Sequence, residues 1–308
     1  MRLVIALGGN ALLRRGEPLT AANQRRRVQA AARALAPLAH DHALVISHGN
    51  GPQVGLLALQ AAACSVDEAY PLDILDAETE GMIGYLIEQE LANVLPPDRH
   101  IATLLTQIEV DGADPAFRKP SKPIGPLYDE AQARLLADAR GWVMAPEEGG
   151  YRRVVASPRP KRIFELGVIE LLVDQGVVVI CAGGGGIPTV CRADGSLVGV
   201  EAVIDKDLAS ALLARELAAD GLLMLTDVSA VHDRWGSPEA RAIRRISPGA
   251  IGRMQFAPGS MGPKVEAAVE FTEASGGSAA IGRLEDAAAI LAGEAGTRIA
   301  PGLEEIYW

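Results

Sequence analysis

The sequence predicts an α/β fold in which helices cover a mainly parallel central sheet and one small subdomain protrudes. Short aliphatic runs alternate along the chain with Ala- and Leu-rich stretches of helical length, a pattern typical of parallel strands joined by crossover helices. Glycine-rich strings directly follow several of the aliphatic runs. A segment rich in Pro, Gly and charge, at 113–160, interrupts the alternation and indicates the protrusion.

The main elements follow in order from the hydrophobic pattern. Strands are predicted at 3–7, 43–47, 101–107, 177–181, 222–226 and 278–281. Helices are predicted at 21–39, 76–95, 161–175, 207–217, 263–274 and 284–292. Pro263 near the start of the fifth helix and Gly276 just past its end are the residues favoured at those positions.

The interrupting segment at 113–160 is predicted to hold a short helix at 130–139 and two small strands at 142–145 and 153–157. Farther along, the Asp194-Gly195 pair between two apolar runs predicts a β-hairpin. We place a boundary between an N-terminal and a C-terminal lobe near residue 205.

Composition excludes some classes of protein. The 308 residues carry a net charge of −10, so no nucleic-acid partner is expected. No uninterrupted apolar run approaches the roughly 20 residues that cross a bilayer, and the N-terminus lacks a signal-peptide cleavage pattern. Cys64, Cys181 and Cys191 are odd in number and show no CxxC spacing, which suits a reducing compartment. We therefore expect a cytoplasmic protein without a membrane partner.

Two glycine strings directly follow the first two predicted strands. They are Gly8, Gly9 and Asn10, and then Gly49, Asn50 and Gly51. Glycine lets the backbone approach a ligand closely, and open α/β sheets bind ligands at the carboxyl ends of their strands. A polar turn would explain either string alone, but together they predict one shared site. His48 is either a general base or, since no triad partner is evident, a residue that orders its loop.

A third string, at 183–186, has four consecutive glycines after another apolar strand. A tight turn needs only one or two. The surplus predicts close backbone approach to phosphates or to the opposing loops, with a flexible hinge as the alternative.

Lysine is scarce: the chain has five Lys against 24 Arg. Three of the five, Lys122, Lys206 and Lys264, lie in loop-like strings. Lys is a compact point charge on a flexible stem, whereas Arg is a wide planar fork. A lysine at a helix start beside glycine suits a bound phosphate.

Asp207 fits a helix N-cap or first-turn acid, and the neighbouring Asp205 is less easily explained. Because His and Cys are scattered, a zinc site is not expected. The glycine strings at strand ends and the lysines in loops together indicate phosphoryl transfer.

The strings ALGGNAL, HGNGPQVG, EGMIGYLIEQEL, KPIGP, GGGGIP, GVEAVIDKDLAS, LTDV and GSMGPKVEAA occur in this order. In this they closely resemble the carbamate kinases of the amino acid kinase superfamily, nearly end to end. Where the wider superfamily usually has a Lys before its first glycine pair, this chain has Ala6. The resemblance implies that Lys122, from the protruding subdomain, supplies that charge instead.

The resemblance implies a reversible, Mg²⁺-dependent reaction, ATP + carbamate ⇌ ADP + carbamoyl phosphate, used mainly to make ATP. It also implies a three-layer αβα sandwich that forms a homodimer, with a protruding subdomain at about 118–158. Residues 1–205 would bind carbamate and residues 206–308 would bind the nucleotide. The Mg²⁺ would be held mainly by the nucleotide phosphates. The implied catalytic residues are Lys122, Lys206, Asp207 and Lys264. The implied carbamate-binding residues are Gly8, Gly9, Asn10, Gly49, Asn50 and Gly51. The implied nucleotide-binding residues are Thr226, Asp227, Val228, Met261, Gly262 and Lys264.

Two other functions fit the sequence less well. A kinase for a longer carboxylate would commonly need an Arg fork for the second carboxyl group, and the early loops offer only Gly, Asn and His. A catalytically idle nucleotide-binding regulator would be expected to have lost one of the four implied catalytic residues, and all four are present.

Overall fold

The fold is described from a computed structural model that covers residues 1–13, 17–64, 70–257 and 259–308. The strands are β1 (Arg2–Leu7), β2 (Ala43–His48), β3 (Ile101–Thr103), β4 (Gln107–Val110), β5 (Lys122–Tyr128), β6 (Met144–Glu147), β7 (Gly150–Val155), β8 (Pro160–Ile163), β9 (Val178–Ile180), β10 (Ile187–Cys191), β11 (Leu197–Gly199), β12 (Gly221–Thr226), β13 (His232–Asp233), β14 (Arg241–Ile246), β15 (Ser278–Arg283), β16 (Thr297–Ile299) and β17 (Ile306–Tyr307).

The helices are α1 (Gly9–Leu12), α2 (Ala21–Asp41), α3 (Gly51–Cys64), α4 (Leu72–Ala92), α5 (Glu130–Arg140), α6 (Leu166–Asp174), α7 (Lys206–Glu216), α8 (Pro248–Ile251), α9 (Met261–Ser275) and α10 (Ala287–Ala292). No helix in the described part of the chain has the length and apolar character needed to cross a bilayer.

The central sheet has the strand order β13-β14-β16-β15-β12-β1-β2-β9-β3, with β17 paired to β14. The strands from β15 through β12, β1, β2 and β9 to β3 are parallel. The antiparallel pairs lie at the other end, where β16 joins β15 and where β13 and β17 join β14. The C-terminal tail is therefore part of the sheet, a position that the sequence pattern did not indicate.

Alternate residues of β1 pack into two separate cores, which gives the three-layer sandwich that the sequence resemblance implies. Val4 and Ala6 belong to a core that includes residues of α6, α7 and α9. Leu3, Ile5 and Leu7 belong to a second core with residues of α2, α4 and α10. Side chains on a strand alternate between its two faces, so a strand that is apolar throughout must be covered on both.

Two small sheets stand beside the central one. Strands β5, β7 and β6 form one of them, and β11, β10, β4 and β8 form the other. The antiparallel pairing of β10 with β11 confirms the hairpin predicted at Asp194-Gly195, and Gly195 has the positive φ of +84° that its turn requires. The central sheet is continuous between β1 and β12, so the strands on either side of the predicted boundary near residue 205 share one sheet.

Several predicted boundaries were wrong. The single strand predicted at 101–107 is two strands, β3 and β4, in different sheets. The buried carboxylate of Glu80 accepts a hydrogen bond from the Thr106 backbone N–H at 3.0 Å, at the point where the chain leaves one sheet for the other. The helix predicted at 161–175 begins as β8, and α4 begins at Leu72 rather than at 76.

The sequence pattern does not predict helix α3, because the first residues of this helix belong to a glycine-rich, loop-like string. It starts at Gly51, with Pro52 in its first turn, where proline is well tolerated. By contrast, α9 confirms the prediction for its region, with Pro263 in the first turn and Gly276 as a left-handed C-terminal cap.

Candidate active site

A cleft of about 760 Å³ lies at the carboxyl ends of β1, β2 and β12. Most of the predicted site residues line it, although they come from distant parts of the chain. Those residues are Gly8, Gly9, Gly49, Asn50, Gly51, Lys122, Lys206, Asp207, Thr226, Asp227, Val228, Met261 and Lys264.

Two predicted residues stand apart from this group. Gly262 is not among the residues that line the cleft; its N–H donates to the Ala257 carbonyl oxygen at 3.0 Å. A Cβ at position 262 would lie 3.0 Å from that same oxygen, so Gly262 permits the tight loop before α9. Asn10 is the second residue of α1, and its side chain lies outside what the structure describes.

The two early glycine strings meet in space, as the prediction of one shared site requires. A Cβ on Gly49 would come within 3.2 Å of the Gly9 backbone nitrogen. At Gly9 and Gly51, by contrast, a Cβ would meet nothing within 4 Å. The first contact holds the loops together, and the open positions leave the backbone accessible to a ligand in the cleft.

Lys206, Asp207 and Lys264 form a buried ion triple at one wall of the cleft. Asp207 accepts a hydrogen bond from the Lys206 Nζ at 2.5 Å through one oxygen and from the Lys264 Nζ at 2.8 Å through the other. The three side chains are 7–12% exposed. Two cations on one carboxylate leave a net positive charge, which a phosphoryl group would neutralise.

Burial and pairing act in opposite directions within the triple. Burial alone would raise the pKa of Asp207, but the two lysines outweigh it and hold that pKa well below its ordinary value. Burial lowers the pKa of Lys206, and the charge of Lys264 acts in the same direction against the attraction of Asp207. For Lys264, the attraction of Asp207 outweighs burial and raises the pKa. Asp207 therefore stays ionised and keeps both lysines in place.

Lys122 reaches the cleft from the start of β5 and pairs with Asp205. Its Nζ donates to the Asp205 carboxylate at 2.5 Å. The other carboxylate oxygen of Asp205 accepts from the backbone N–H groups of Asp207 and Leu208, which makes Asp205 the N-cap of α7. Of the two roles predicted for Asp207, N-cap or first-turn acid, the second is therefore confirmed.

The four consecutive glycines at 183–186 approach other loops of the molecule. A Cβ on Gly183 would lie 2.4 Å from the His48 ring, and one on Gly184 would lie 2.2 Å from the Asn50 amide nitrogen. A Cβ on Gly185 would lie 2.4 Å from the carbonyl oxygen of Ile204, just before α7. Of the interpretations left open from the sequence, close approach to opposing loops is the one that this packing supports.

His48 is fully buried beneath the cleft and is not among the residues that line it. Its Nδ1 lies 3.3 Å from the Gly49 carbonyl oxygen. Burial lowers the pKa of His48 to about 4, so the ring is neutral near pH 7. Both observations favour the loop-ordering role over that of a general base.

Sequence reasoning missed two groups of site residues. One lines the cleft after β12 and before α9, and comprises His232, Arg234, Trp235, Gln255 and Phe256. The other lies behind Asn50 on α4, where Asp76, Thr79 and Glu80 are buried polar residues. The only signal for the second group was the presence of acidic residues at helical spacing in an otherwise apolar stretch.

The arrangement is suited to binding and transferring a phosphoryl group. Compact cations and uncovered glycine backbone converge on one cleft, and such groups stabilise the charge that moves between donor and acceptor oxygens. Among the residues that the structure describes, no cluster of three or more His, Cys, Asp or Glu side chains could hold a metal ion.

Comparison with known proteins agrees with this chemistry. Residues 1–283 match the model of the amino acid kinase family. A carbamate kinase of Rhizobium meliloti is 57% identical over 310 aligned residues, which span all of this chain and 96% of the relative. A carbamate kinase of Haemophilus influenzae is 56% identical over 308 residues, with 100% and 99% of the two chains covered.

The fold is also similar to that of solved carbamate kinases. The structure of carbamate kinase from Giardia lamblia bound to AMP-PNP superimposes with a TM-score of 0.88 at 42% sequence identity. The match covers 97% of this chain and 98% of the Giardia chain.

Proposed function

The chain belongs to the amino acid kinase family, within it to the carbamate kinases, and from that premise we propose how its residues carry out the reaction. The reaction transfers the γ-phosphoryl group of ATP to a carboxylate oxygen of carbamate, giving ADP and carbamoyl phosphate. The observation that carries the proposal is the buried Lys206–Asp207–Lys264 triple beside the two joined glycine loops.

In this proposal Lys206 and Lys264 neutralise the charge of the phosphoryl group as it moves. Asp207 contacts both ammonium groups and acts as the residue that positions them. Each lysine keeps donors beyond the one that Asp207 accepts, since an ammonium group has three. Those remaining donors are available to phosphoryl oxygens.

Lys122 is proposed as the third cation. It is 30% exposed, more than the other two, and its partner Asp205 also caps α7. An arriving phosphoryl group would compete with Asp205 for the same ammonium. Lys122 would then bridge the protruding subdomain at about 118–158 and the substrate.

The glycine loops suit an acceptor as small as carbamate. Gly8, Gly9, Gly49 and Gly51 add no side chain, so among the side chains of these strings that the structure describes, Asn50 brings the functional group to the cleft. This composition supports Gly8, Gly9, Asn10, Gly49, Asn50 and Gly51 as the carbamate-binding group. The assignment of Asn10 to this group comes from the sequence resemblance alone.

The nucleotide is proposed to bind on the other side of the ion triple, against residues 206–308. Thr226, Asp227, Val228, Met261 and Lys264, all from that part of the chain, line the cleft, with Gly262 supporting the loop. Residues 1–205 would then form the carbamate-binding lobe.

Mg²⁺ is proposed to be held mainly by the nucleotide phosphates. The carboxylates of Asp205 and Asp207 both accept hydrogen bonds from lysines. Mg²⁺ commonly uses only one or two carboxylates together with substrate phosphates and water. The ion would supply further neutralisation of charge on the phosphates, and the lysines would act on the transferring group.

We propose that the enzyme acts mainly in the direction of ATP synthesis, because acyl phosphates transfer their phosphoryl group to ADP favourably. We also propose that it works in the cytoplasm. A reducing compartment suits Cys181 and Cys191, which are unpaired thiols.

A homodimer is proposed from an exposed apolar surface, which we call the α4 surface. Its residues are Tyr70, Ile74, Met82, Tyr85 and Leu105, each 38–61% exposed. Leu105 follows β3, the edge strand of the central sheet, and its side chain lies 4.0 Å from where a Cβ of Gly81 would be. Large exposed apolar side chains beside a sheet edge favour association with another molecule.

One assay tests the reaction. The purified protein is incubated with MgADP and carbamoyl phosphate, and ATP is measured. In parallel, acetyl phosphate replaces carbamoyl phosphate. ATP is expected mainly from carbamoyl phosphate; no ATP from it would rule out the proposal, and a preference for acetyl phosphate would favour a kinase of another carboxylate. Omitting Mg²⁺ should abolish the signal.

A further inference from the structure

Asn50 lines the cleft, yet its amide nitrogen is directed away from it, into helix α4. The residue is 2% exposed. Its Nδ2 donates to the Asp76 Oδ1 at 2.9 Å and to the Thr79 Oγ1 at 2.9 Å. An amide nitrogen has two protons, so both are used by buried partners.

The two partners hold the amide in one orientation. Asp76 is 1% exposed and Thr79 is fully buried. The Thr79 hydroxyl donates its own proton to the Asp76 carbonyl oxygen at 3.0 Å, so towards Asn50 it can only accept. Exchanging the oxygen and nitrogen of the Asn50 amide would place an acceptor against this acceptor and leave a buried polar atom unpaired, which is costly.

The glycine string at 183–186 closes the other side of the same side chain. A Cβ on Gly184 would lie 2.2 Å from the Asn50 Nδ2 and 2.7 Å from its Oδ1. Asn50 is thus packed between α4 and this string. Within the described part of the chain, no group donates to the Asn50 Oδ1, which leaves that oxygen as the amide's acceptor for a ligand in the cleft.

We propose that Asp76 and Thr79 are positioning residues which fix the Asn50 amide so that its Oδ1 accepts a hydrogen bond from the amino group of carbamate. The proposal rests on the proposed role of Asn50 in binding carbamate. It assigns a selective function to the pair. Carbamoyl phosphate has an amino group where acetyl phosphate has a methyl group of similar size. A site that places a hydrogen-bond acceptor at this position can therefore distinguish the two substrates.

The selectivity follows from hydrogen bonding rather than from shape. A site that hydrogen-bonds a substrate N–H rejects the analogue without it, because the buried acceptor is then left unpaired. If the Asn50 amide were free to turn, its N–H₂ could face the ligand and the discrimination would weaken. The cost of one hydrogen bond corresponds to roughly a fivefold to tenfold change in preference.

Two pairs of variants distinguish a positioning role of Asp76 and Thr79 from a purely structural one. Asp76→Leu removes the acceptor and keeps apolar bulk, whereas Asp76→Asn keeps an oxygen that can accept from Asn50. Thr79→Val removes the hydroxyl at constant shape, whereas Thr79→Ser keeps it. Glu78→Gln, an acid-to-amide change at an exposed position of the same helix, is the matched control. Thermal melts establish that each variant is folded.

The measurement is kcat/KM for carbamoyl phosphate divided by kcat/KM for acetyl phosphate, with MgADP, in the wild type and all five variants. The ratio is expected to fall at least about fivefold in Asp76→Leu and Thr79→Val, and to stay near the wild-type value in Asp76→Asn, Thr79→Ser and Glu78→Gln. Leu and Val variants that lose activity equally on both substrates, with the ratio unchanged, would overturn the proposal. A wild type that makes no ATP from carbamoyl phosphate would instead overturn the proposed function.

Discussion

At the scale of single residues, the site depends on where a few compact charges are held. Lys206 and Lys264 share the carboxylate of Asp207, and Lys122 is paired with Asp205. The scarcity of lysine in the sequence pointed to these side chains, and all three line the cleft. The resemblance already implied Asp207 as a partner of the lysines, whereas the pairing of Lys122 with Asp205 could be identified only in the structure.

Lys264→Arg should preserve the fold and lower turnover by roughly a hundredfold, about 3 kcal/mol of transition-state stabilisation. The guanidinium keeps the charge, but it is a wide planar fork and Lys264 is only 12% exposed beside Asp207. The measurements are kcat with MgADP and carbamoyl phosphate and the midpoint of thermal unfolding. Lys161→Arg, at a half-exposed surface position, is the control. Wild-type turnover in Lys264→Arg would show that compactness of the charge is unimportant there.

His48 should make the fold less stable in acid. Burial lowers its pKa from the usual 6.5 to about 4, so between those values the unfolded chain binds a proton that the folded chain does not. The free energy of unfolding therefore decreases as pH falls from 6.5 to 4, by at most about 3 kcal/mol from this residue.

His48→Gln should remove that contribution. Urea unfolding at pH 7, 6, 5 and 4.5 would compare the slope of unfolding free energy against pH in this variant and in the wild type. His100→Gln, at an exposed position, serves as the control. Equal slopes in all three proteins would mean that His48 is not the group responsible.

At the scale of secondary-structure elements, the protruding subdomain packs against helix α3 at a point where two glycines meet. A Cβ on Gly55 of α3 would lie 2.0 Å from the Gly125 Cα of β5. Helix α3 begins at Gly51 and β5 begins at Lys122. The contact therefore sets the distance between the start of α3 at Gly51 and Lys122.

Gly55→Ala should reduce kcat by about tenfold or more, because the new methyl group pushes β5 and Lys122 away from the site. The overlap is with backbone atoms of Gly125, so the shift also costs stability, against the roughly 1 kcal/mol by which alanine favours a helix over glycine. A thermal melt establishes that the variant is folded. Gly167→Ala, in α6 with nothing within 4 Å of the added Cβ, should leave kcat unchanged. If both variants keep wild-type kcat, the glycine contact does not position Lys122.

Prediction of the elements succeeded where local pattern decides the outcome. The boundaries of α9 follow from Pro263 and Gly276, and the hairpin after β10 follows from Asp194-Gly195. The strand predicted at 101–107 failed because the turn at Thr106 is made by Glu80, 26 residues away. A partner so far away along the chain cannot be predicted from local sequence propensities.

At the scale of the whole molecule, the central sheet brings the ends of β1, β2 and β12 together. The same architecture leaves the α4 surface uncovered, next to the sheet edge at β3. An apolar surface beside an edge strand favours association with a second copy.

The double variant Met82→Glu/Tyr85→Glu should convert a dimer to a monomer. Charged side chains on the α4 surface would have to be desolvated in an interface, which opposes association. Sedimentation velocity at micromolar concentration would measure the mass of wild type and variant. Leu135→Glu, at a 67% exposed position on α5, is the control. A monomeric wild type, or a variant that stays dimeric, would contradict the assignment of the interface.

The sequence by itself determined the fold class, the glycine strings at the strand ends and the three lysines in loop-like strings. These features are local, because each depends on residue type, spacing and the element that precedes it. Tertiary structure decided which groups meet. Lys122 and Asp205 are 83 residues apart, and Asn50 and Asp76 are 26 apart. Such pairs depend on the order of strands in the sheet and on how the helices pack against it, which hydrophobic periodicity does not specify.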